Sequence, residues 1–388
     1  MAGSEGHRRD VGVVLSGGGV NGVMMELGFL QRLRESPLWP RVAVVFGTSS
    51  GALSGAMAVL DRLDELEPFL LHLQPEQTFR PNRLWQLPFL GLHDYVLPRT
   101  IESAFGDVEE IARDLTAAPI ELVVLATDVT DDDATAADGF ELVYSSRRTD
   151  PRTLAQAILA SAAVSALVLP LRVGDRIATD GSWVRNFPLG HAAEHPEVEL
   201  VVAFRYLPHY PRLGVLALER MRRRLERFRR LPPIRAFLEE LDRAEERAAR
   251  GEPAHLADMI VRLARVSILR NTQLEEGRVY DHEQADRELR RLRDDVLQLL
   301  EAHPPLQAAV GERFADARFP FRHDGVVPRV VVRGSNEGAG LDPGFRNQPH
   351  WAEDEKRALI RAGWLAADAE LRSIDAAPAA PTLVDLGT

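Results

Sequence analysis

The sequence of 388 residues contains no cysteine and a single lysine, Lys356. Without cysteine the chain cannot form disulfide bonds, use a thiolate nucleophile or bind a metal through sulfur. Without lysine in the first 355 residues, that part of the chain can have neither Schiff-base chemistry nor a Walker-type phosphate-binding lysine. Arginine therefore supplies nearly all of the positive charge.

Long hydrophobic runs are missing as well. No stretch approaches the ~20 apolar residues that a membrane-spanning helix needs. The polar residues 1–10 are followed by an apolar segment, Val11–Leu15, that is too short for the core of a signal peptide. The sequence thus predicts a cytoplasmic protein with no signal peptide or transmembrane segment, and it leaves peripheral contact with a membrane open.

The charge balance limits the partners that can be expected. The formal net charge of −11 argues against a general nucleic-acid-binding protein, which needs a basic face. The hydrophobic content of 45% and the charged content of 27% are typical of a soluble globular protein. The oligomeric state is not indicated by the sequence.

Short apolar strands alternate with helices through the first part of the chain. Strands are predicted at residues 11–15, 42–46, 121–126, 172–178 and 199–204, and helices at 22–34, 52–63 and 153–167. This alternation is typical of an α/β fold in which a mostly parallel central sheet is covered by helices on both faces.

The periodicity also suggests how the chain is divided. We expect a flexible N-terminus over residues 1–10, an α/β core over 11–205 and a charged helical section or cap over 206–325. A strand and a helix over 326–375 are expected to return to the core. The Ala- and Pro-rich residues 376–388 are expected to form a loose tail.

The run Gly47-Thr48-Ser49-Ser50-Gly51 follows a predicted buried strand and precedes a predicted helix. This is the G-x-S-x-G pattern in the strand–turn–helix context of a nucleophile elbow. Gly47 and Gly51 remove the side chains that would collide at the turn. Ser49 is therefore predicted to be a nucleophile held over the amino end of a helix, whose N–H groups favour a developing oxyanion.

A glycine loop after the first strand admits two interpretations. Gly17, Gly19 and Gly22 fit G-x-G-x-x-G, the dinucleotide-binding turn. That interpretation needs an acidic residue at the end of the second strand, where this chain has the serine elbow instead. In a hydrolase, the same loop can direct backbone N–H groups toward Ser49 and form an oxyanion hole.

The serine needs a proton acceptor, and several residues qualify. Asp180 ends a predicted strand and precedes Gly181, so it lies at the sheet edge where open α/β folds bind ligands. A partly buried carboxylate can serve directly as the base. His191, His195 and His209 follow it in the chain and stay open as bases of a Ser-His-Asp arrangement.

In this order and spacing, three segments together resemble the patatin-like phospholipase family. They are residues 15–22 (LSGGGVNG), 47–51 (GTSSG) and 180–182 (DGS). Residues 126–128 (ATD), 160–163 (ASAA) and 186–188 (NFP) are similar to the family too. The resemblance is strong over residues 11–205 and weak over 64–120 and 206–325.

The resemblance implies a Ser-Asp dyad with Ser49 as nucleophile and Asp180 as base, and no histidine in the chemistry. It implies an oxyanion hole from the backbone of Gly17, Gly18 and Gly19. The expected reaction is hydrolysis of fatty acyl esters in phospholipids or related lipids through an acyl-enzyme, without a metal, calcium or another cofactor.

Two positions depart from the family pattern. Asn21 stands where the family has Arg or Lys, and Ser182 stands where it has Gly or Ala. Asparagine donates hydrogen bonds but brings no charge to the loop, so a catalytically weak or inactive member that binds lipid or a protein partner is the alternative function. A dinucleotide-binding enzyme is the less favoured one.

Overall fold

The computed structural model describes residues 8–82, 93–130, 140–164, 168–207, 222, 226–250, 256–317, 327–335, 339 and 352–375. Residues 1–7 of the expected flexible N-terminus, and the expected loose tail at 376–388, lie outside the described residues. The predicted domain boundaries at residues 205 and 325 stay predictions.

Ten strands are found in the described part of the chain. They are β1 (Val11–Leu15), β2 (Val42–Thr48), β3 (Phe79–Pro81), β4 (His93–Tyr95), β5 (Glu121–Asp128), β6 (Glu141–Ser145), β7 (Leu171–Val173), β8 (Arg176–Asp180), β9 (Leu200–Leu207) and β10 (Arg329–Ser335). Eight of them form one sheet in the order β10-β9-β1-β2-β5-β8-β7, with β6 paired to β5, while β3 and β4 form a separate hairpin.

The central sheet is mostly parallel, as predicted. Strands β10, β9, β1, β2 and β5 run in parallel, while β6, β7 and β8 are antiparallel to their neighbours. Twelve helices are found in the same part of the chain. They are α1 (Gly19–Arg34), α2 (Ser50–Val59), α3 (Leu63–His72), α4 (Leu97–Phe105), α5 (Val108–Ala117), α6 (Pro151–Ser161), α7 (Ser182–Arg185), α8 (Leu189–Glu194), α9 (Pro232–Ala249), α10 (Leu256–Leu299), α11 (Pro304–Asp316) and α12 (Glu353–Asp375).

The core lies on both faces of the sheet. Every residue of β1 and β2 is buried, which explains why these strands read as continuous apolar runs. Val13 and Val45 pack with α1, α2, α3 and α12, whereas Val14 and Val44 pack with Phe187 on the other face. This alternation follows from the two-residue period of a strand.

Helix α12 crosses α1 at unusually short range, and glycine makes this approach possible. A Cβ atom at Gly28 would lie 1.9 Å from the carbonyl oxygen of Ile360, and one at Gly363 would lie 2.0 Å from that of Met25. Lys356, the only lysine, is fully buried and donates hydrogen bonds to the carbonyl oxygens of Leu70, Leu71 and Leu73 at the end of α3. It therefore joins α12 to α3 and caps the carbonyls that a helix end leaves unpaired.

Several predicted elements were wrong in extent. The helix predicted at 52–63 ends at Val59, because the chain turns at Asp61 with a positive φ of 56°. The helix predicted at 153–167 ends at Ser161. The single strand predicted at 172–178 is a hairpin, β7 and β8, that turns at Gly174 with a φ of +60°. Helix α5 and strand β6 were not predicted.

The long helix α10 lies against the segment that follows β8. Glu275 forms an ion pair with Arg185 of α7, and its Oε1 accepts a hydrogen bond from the N–H of Gly190 at 2.7 Å. Asn186 Nδ2 contacts the hydroxyl of Thr272 at 3.4 Å. Among the described residues, no helix is both long and apolar enough to cross a membrane.

Candidate active site

Ser49 lies at the sharp turn between β2 and α2. Its backbone has φ 56° and ψ −120°, a conformation that residues other than glycine rarely adopt. The flanking glycines are required by contact. A Cβ atom at Gly47 would lie 2.3 Å from the carbonyl oxygen of Gly51, and one at Gly51 would lie 2.6 Å from that of Leu15. The turn can therefore pack against β1 only with glycine at both positions.

Sheet register brings Asp180 to the same place. Strand β2 runs parallel to β5 and ends with Thr48 opposite Leu125. Strand β8 runs antiparallel to β5 and ends with Asp180 opposite Ala126, the next residue. Because β6 occupies the other edge of β5 at these positions, β2 and β8 share one edge and their carboxyl ends meet there. An antiparallel strand thus places its last side chain beside Ser49.

The hydroxyl of Ser49 donates a hydrogen bond to Asp180 Oδ2 at 2.7 Å. The other carboxylate oxygen, Oδ1, accepts from the N–H of Ser182 at 2.8 Å. Only 3% of Asp180 is exposed. Burial raises the pKa of Asp180, while the hydrogen bonds from Ser49 and Ser182 lower it. A carboxylate in this setting is a stronger base than one in water, and it faces one hydroxyl.

The backbone around the pair is fixed by further hydrogen bonds. The N–H of Asp180 donates to the carbonyl oxygen of Ala163 at 3.0 Å, and its carbonyl oxygen accepts from the hydroxyl of Thr127 at 2.8 Å. On the serine side, the N–H of Ser49 donates to Ser161 Oγ at 2.9 Å, and Ser161 donates to the carbonyl oxygen of Leu125 at 2.6 Å. Ser161 and Thr127 both lie in segments that resemble the family, but the sequence alone did not indicate what they contact.

The glycine loop lies directly against Ser49. A Cβ atom at Gly17 would lie 3.1 Å from the Cβ of Ser49 and 2.5 Å from the hydroxyl of Ser182. The N–H of Gly17 donates to the carbonyl oxygen of Asn186 at 3.0 Å. The N–H of Gly18 donates to Ser50 Oγ at 2.9 Å. Two of the three loop amides are therefore occupied in this structure.

Gly19 differs from the two glycines before it. Its φ is +59°, and a Cβ atom there would meet nothing within 4 Å. Its N–H has no hydrogen-bond partner among the described residues. It is the first residue of α1, where helix geometry leaves the N–H groups unpaired. This amide lies on the wall of the cavity that also contains Ser49.

A second buried carboxyl group lies behind the loop. Glu26 of α1 is fully buried, and it accepts hydrogen bonds from the hydroxyls of Ser50 at 3.1 Å and Ser54 at 2.9 Å. Burial raises the pKa of Glu26 to about 8. Ser50 thus connects Glu26 to the N–H of Gly18. The only sequence signal for this connection is an acidic residue within the apolar run of α1, and the connection was not predicted.

Ser49 lines an apolar cavity of about 150 Å³ that is also lined by α1, α2, α3, α4, α5 and α6. The described residues around it are almost all hydrophobic and include Val23, Leu53, Met57, Phe69, Leu97, Ile101, Phe105, Ile111, Ile158 and Leu159. An apolar space beside a serine hydroxyl can hold a hydrocarbon chain whose carboxyl carbon lies at that hydroxyl.

The histidines considered as bases have other partners. His191 Nε2 lies 3.0 Å from Glu141 Oε1, and His195 packs edge-on against Phe46 with Nε2 3.8 Å from Glu121. Neither is hydrogen-bonded to Ser49. His209 lies outside the described residues. Asn21, the departure from the family pattern, is buried in the first turn of α1.

Comparison with known proteins is consistent with this geometry. Residues 13–193 match the patatin family, described as patatin-like phospholipase. Among solved structures, the chain is similar to VipD from Legionella pneumophila, with 15% identity, a TM-score of 0.33, and coverage of 54% of this chain and 53% of VipD. The chain therefore spans about half the length of that protein. No protein of curated function matches the chain.

The matched range contains Ser49, Asp180 and the glycine loop, and it covers the core strands from β1 to β8. The family match supports the hydrolase interpretation of the glycine loop over the dinucleotide-binding one. Residues 13–193 of this chain form a patatin-like phospholipase domain.

Proposed function

We propose that this chain is a serine-dependent acyl hydrolase that cleaves fatty acyl esters of phospholipids or related lipids. The observation that carries the proposal is the 2.7 Å hydrogen bond from the Ser49 hydroxyl to Asp180, at the opening of an apolar cavity. The hydrogen bond supplies an activated nucleophile. The cavity supplies a place for the acyl chain.

In the first half of the reaction, Asp180 accepts the proton of Ser49 as Oγ attacks the ester carbonyl carbon. The carbonyl oxygen becomes an oxyanion, and the N–H of Gly19 donates a hydrogen bond to it. The N–H of Ser50, the residue after the nucleophile, is the second donor that this type of elbow supplies. The intermediate then expels the alcohol, which takes the proton from Asp180 and leaves an acyl group on Ser49.

In the second half, water gives a proton to Asp180 as its oxygen attacks the acyl carbon. The second oxyanion is held by the same N–H groups. Its collapse breaks the bond to Ser49 Oγ, which takes the proton back from Asp180, and the fatty acid leaves. Each proton given up by Ser49 or water therefore has a defined acceptor, and no histidine is needed.

The proposed oxyanion site uses fewer N–H donors from the glycine loop than the sequence predicts. Gly17 and Gly18 donate their N–H groups to Asn186 and Ser50, so they shape the loop. Gly19 is left as the loop donor. An oxyanion site built from backbone N–H groups also needs no arginine or lysine at the position of Asn21, because its donors come from the main chain.

Labelling with a fluorophosphonate probe tests the nucleophile. In the parent protein we expect mass spectrometry to place the phosphonate on the peptide that contains Ser49, and no label on Ser49→Ala. Ser103→Ala, which removes an exposed hydroxyl of α4, is the matched control and should label like the parent. A folded parent without label on Ser49, but with saturable binding to phospholipid vesicles, would instead support the alternative of an inactive lipid-binding member.

A further inference from the structure

Two aromatic rings line the cavity beside Ser49 and contact each other. Phe69 of α3 and Phe105 of α4 have ring centroids 4.8 Å apart and an angle of 59° between their planes. Both rings line the cavity that begins at Ser49. Both also line a separate groove of about 730 Å³ on the outer side of α3 and α4. Together with Leu73, which lines both spaces as well, the pair therefore forms a wall that separates the apolar cavity from the groove.

The outer groove has a different chemical character from the cavity. Its lining includes the polar and charged residues Asp64, Glu65, His72, Gln77, Arg99, Thr100 and Ser103. The guanidinium group of Arg62 lies 5.6 Å from the centroid of the Phe105 ring and pairs with Glu65 at 2.6 Å. Phe105 thus contacts both the ring of Phe69 and the guanidinium group of Arg62, and these contacts hold the ring in place.

The volume on the inner side of this wall is small for a lipid chain. A dry cavity of roughly 150 Å³ in another protein holds benzene, a six-carbon molecule. The cavity beside Ser49 has about the same volume, 150 Å³. A chain of ~16 carbons would have to displace the Phe69–Phe105 wall or leave most of its length outside.

We infer that Phe69 and Phe105 limit how much of an acyl chain fits beside Ser49, and that they favour short acyl groups of about six carbons over the longer chains of the same lipid esters. The inference rests on the proposed function and adds its substrate class. Removing either ring joins the cavity to the outer groove and lets a longer chain pass through.

Hydrolysis of p-nitrophenyl esters with acyl chains from 4 to ~16 carbons gives the first test. We expect the kcat/KM of the parent to be highest near ~6 carbons and to fall for longer chains. In Phe105→Ala and Phe69→Ala the maximum should move to longer chains by several carbons. Phe237→Ala removes an exposed ring of α9 that touches neither space, and it should keep the parent profile.

Binding of free fatty acids tests the same inference without turnover. In Ser49→Ala, titration calorimetry with hexanoate, decanoate and tetradecanoate should show the tightest binding for hexanoate. After the additional change Phe105→Ala, affinity should rise by about fourfold for each further methylene that the opened cavity buries. Equal length dependence with and without Phe105 would overturn the inference, even if Ser49 reacts with the fluorophosphonate.

Two further variants keep the inference testable if an alanine variant does not fold. Phe105→Leu keeps an apolar side chain at the wall and should move the maximum less than Phe105→Ala does. Ala56→Leu places a larger side chain of α2 in the cavity, which reduces its free volume, and it should move the maximum toward shorter chains. If shortened and enlarged side chains both leave the length profile unchanged in folded protein, the wall does not set the chain length. If Ser49 neither labels nor turns over ester while fatty-acid binding follows these expectations, only the catalytic proposal fails.

Discussion

Two buried carboxyl groups lie on opposite sides of the turn after β2, and each accepts a hydrogen bond from one of two consecutive serines. Ser49 donates to Asp180 at 2.7 Å, and Ser50 donates to Glu26 at 3.1 Å. Burial raises the pKa of both carboxyl groups. By hydrogen bonding and burial alone, either pair could be a nucleophile and its base.

Backbone and access distinguish the two pairs. Ser49 has a φ of 56° and precedes α2, whereas Ser50 is the first helical residue. The hydroxyl oxygen of Ser50 accepts a hydrogen bond from the N–H of Gly18, which commits one of its lone pairs to the loop. Both serines line the cavity, but the Ser50 hydroxyl is bound by both Glu26 and Gly18, whereas among the described residues the Ser49 hydroxyl is bound by Asp180 alone. The comparison indicates that the strained turn, more than the carboxylate, distinguishes the serine that is proposed to react.

The two carboxyl groups also differ in the protonation state that each one needs. With a pKa of about 8, Glu26 is a neutral acid at pH 7. Its Oε2 lies 2.9 Å from the hydroxyl of Ser54, which also lies 3.2 Å from the carbonyl oxygen of Ser50. A proton on Oε2 lets Glu26 donate to Ser54 while Ser54 donates to Ser50. A structural carboxyl group can thus be satisfied when neutral, whereas Asp180 must be ionised to accept the proton of Ser49.

The largest expected effect comes from exchanging the Asp180 carboxyl group for an amide, with the same exchange at Glu26 as the comparison. Asp180→Asn removes the proton acceptor and should lower kcat on a short p-nitrophenyl ester by about 10²- to 10⁴-fold. Glu26→Gln removes no proton acceptor and should retain kcat within about tenfold. Steady-state kinetics of both variants, with melting temperatures to establish folding, check the contrast. If Asp180→Asn keeps most of the turnover, the base lies elsewhere, and His191 is the next candidate.

A smaller effect is expected from Ser50→Ala. The N–H of Gly18 loses its acceptor, and the glycine loop loses its attachment to α2. An unsatisfied buried donor costs about 1–3 kcal/mol, so kcat/KM should fall by roughly tenfold. The fluorophosphonate should still label Ser49, because the Ser49–Asp180 pair remains. Loss of all labelling would mean that Ser50 and Glu26 take part in the chemistry, and the comparison between the two pairs would have to be reversed.

The sequence predicts the parts of this fold that depend on local pattern. Strands β1, β2 and β9 lie in the middle of the sheet, so each contains a run of apolar residues, and they were located to within a few residues. The turn at Ser49 carries its own signal, because only glycine fits at Gly47 and Gly51. Asp180 could be proposed from the Asp-Gly pair at a strand end and from the family resemblance.

Elements that depend on pairing over distance were not predictable in this way. Strand β6 is partly exposed and is defined by its pairing with β5, so its sequence lacks a continuous apolar run. The meeting of β2 and β8 on one edge of β5 follows from register, which no short segment encodes. The Glu26–Ser50–Gly18 connection joins residues 18, 26 and 50 through side chains that point inward from two helices. Burial of this kind becomes visible only after the helices are packed.

The smallest expected change in activity, and a clear change in stability, belongs to Glu26→Gln. The folded-state pKa of Glu26 is about 8, above the ordinary value of 4.5. Below pH ~4.5 both the folded and unfolded states hold the proton, so the group has no effect on the free energy of unfolding. As pH rises toward ~8 the unfolded state loses the proton first, and the parent protein is progressively destabilised, by an amount on the order of a few kcal/mol. Glutamine cannot titrate, so this part of the pH dependence should disappear.

Urea unfolding of the parent and Glu26→Gln at pH 5 and pH 8 measures the difference. The two proteins should have similar stability at pH 5, and the variant should be the more stable at pH 8. Glutamine can accept from Ser50 through its oxygen and donate to Ser54 through its amide, so the hydrogen-bond pattern of the neutral acid is preserved. A stability difference between parent and variant that is the same at pH 5 and pH 8 would mean that folding does not raise the pKa of Glu26, so that the group is ionised in the folded protein at pH 8. The negative charge would then lie behind the loop that is proposed to bind the oxyanion, and the distinction drawn between the two carboxyl groups would no longer hold.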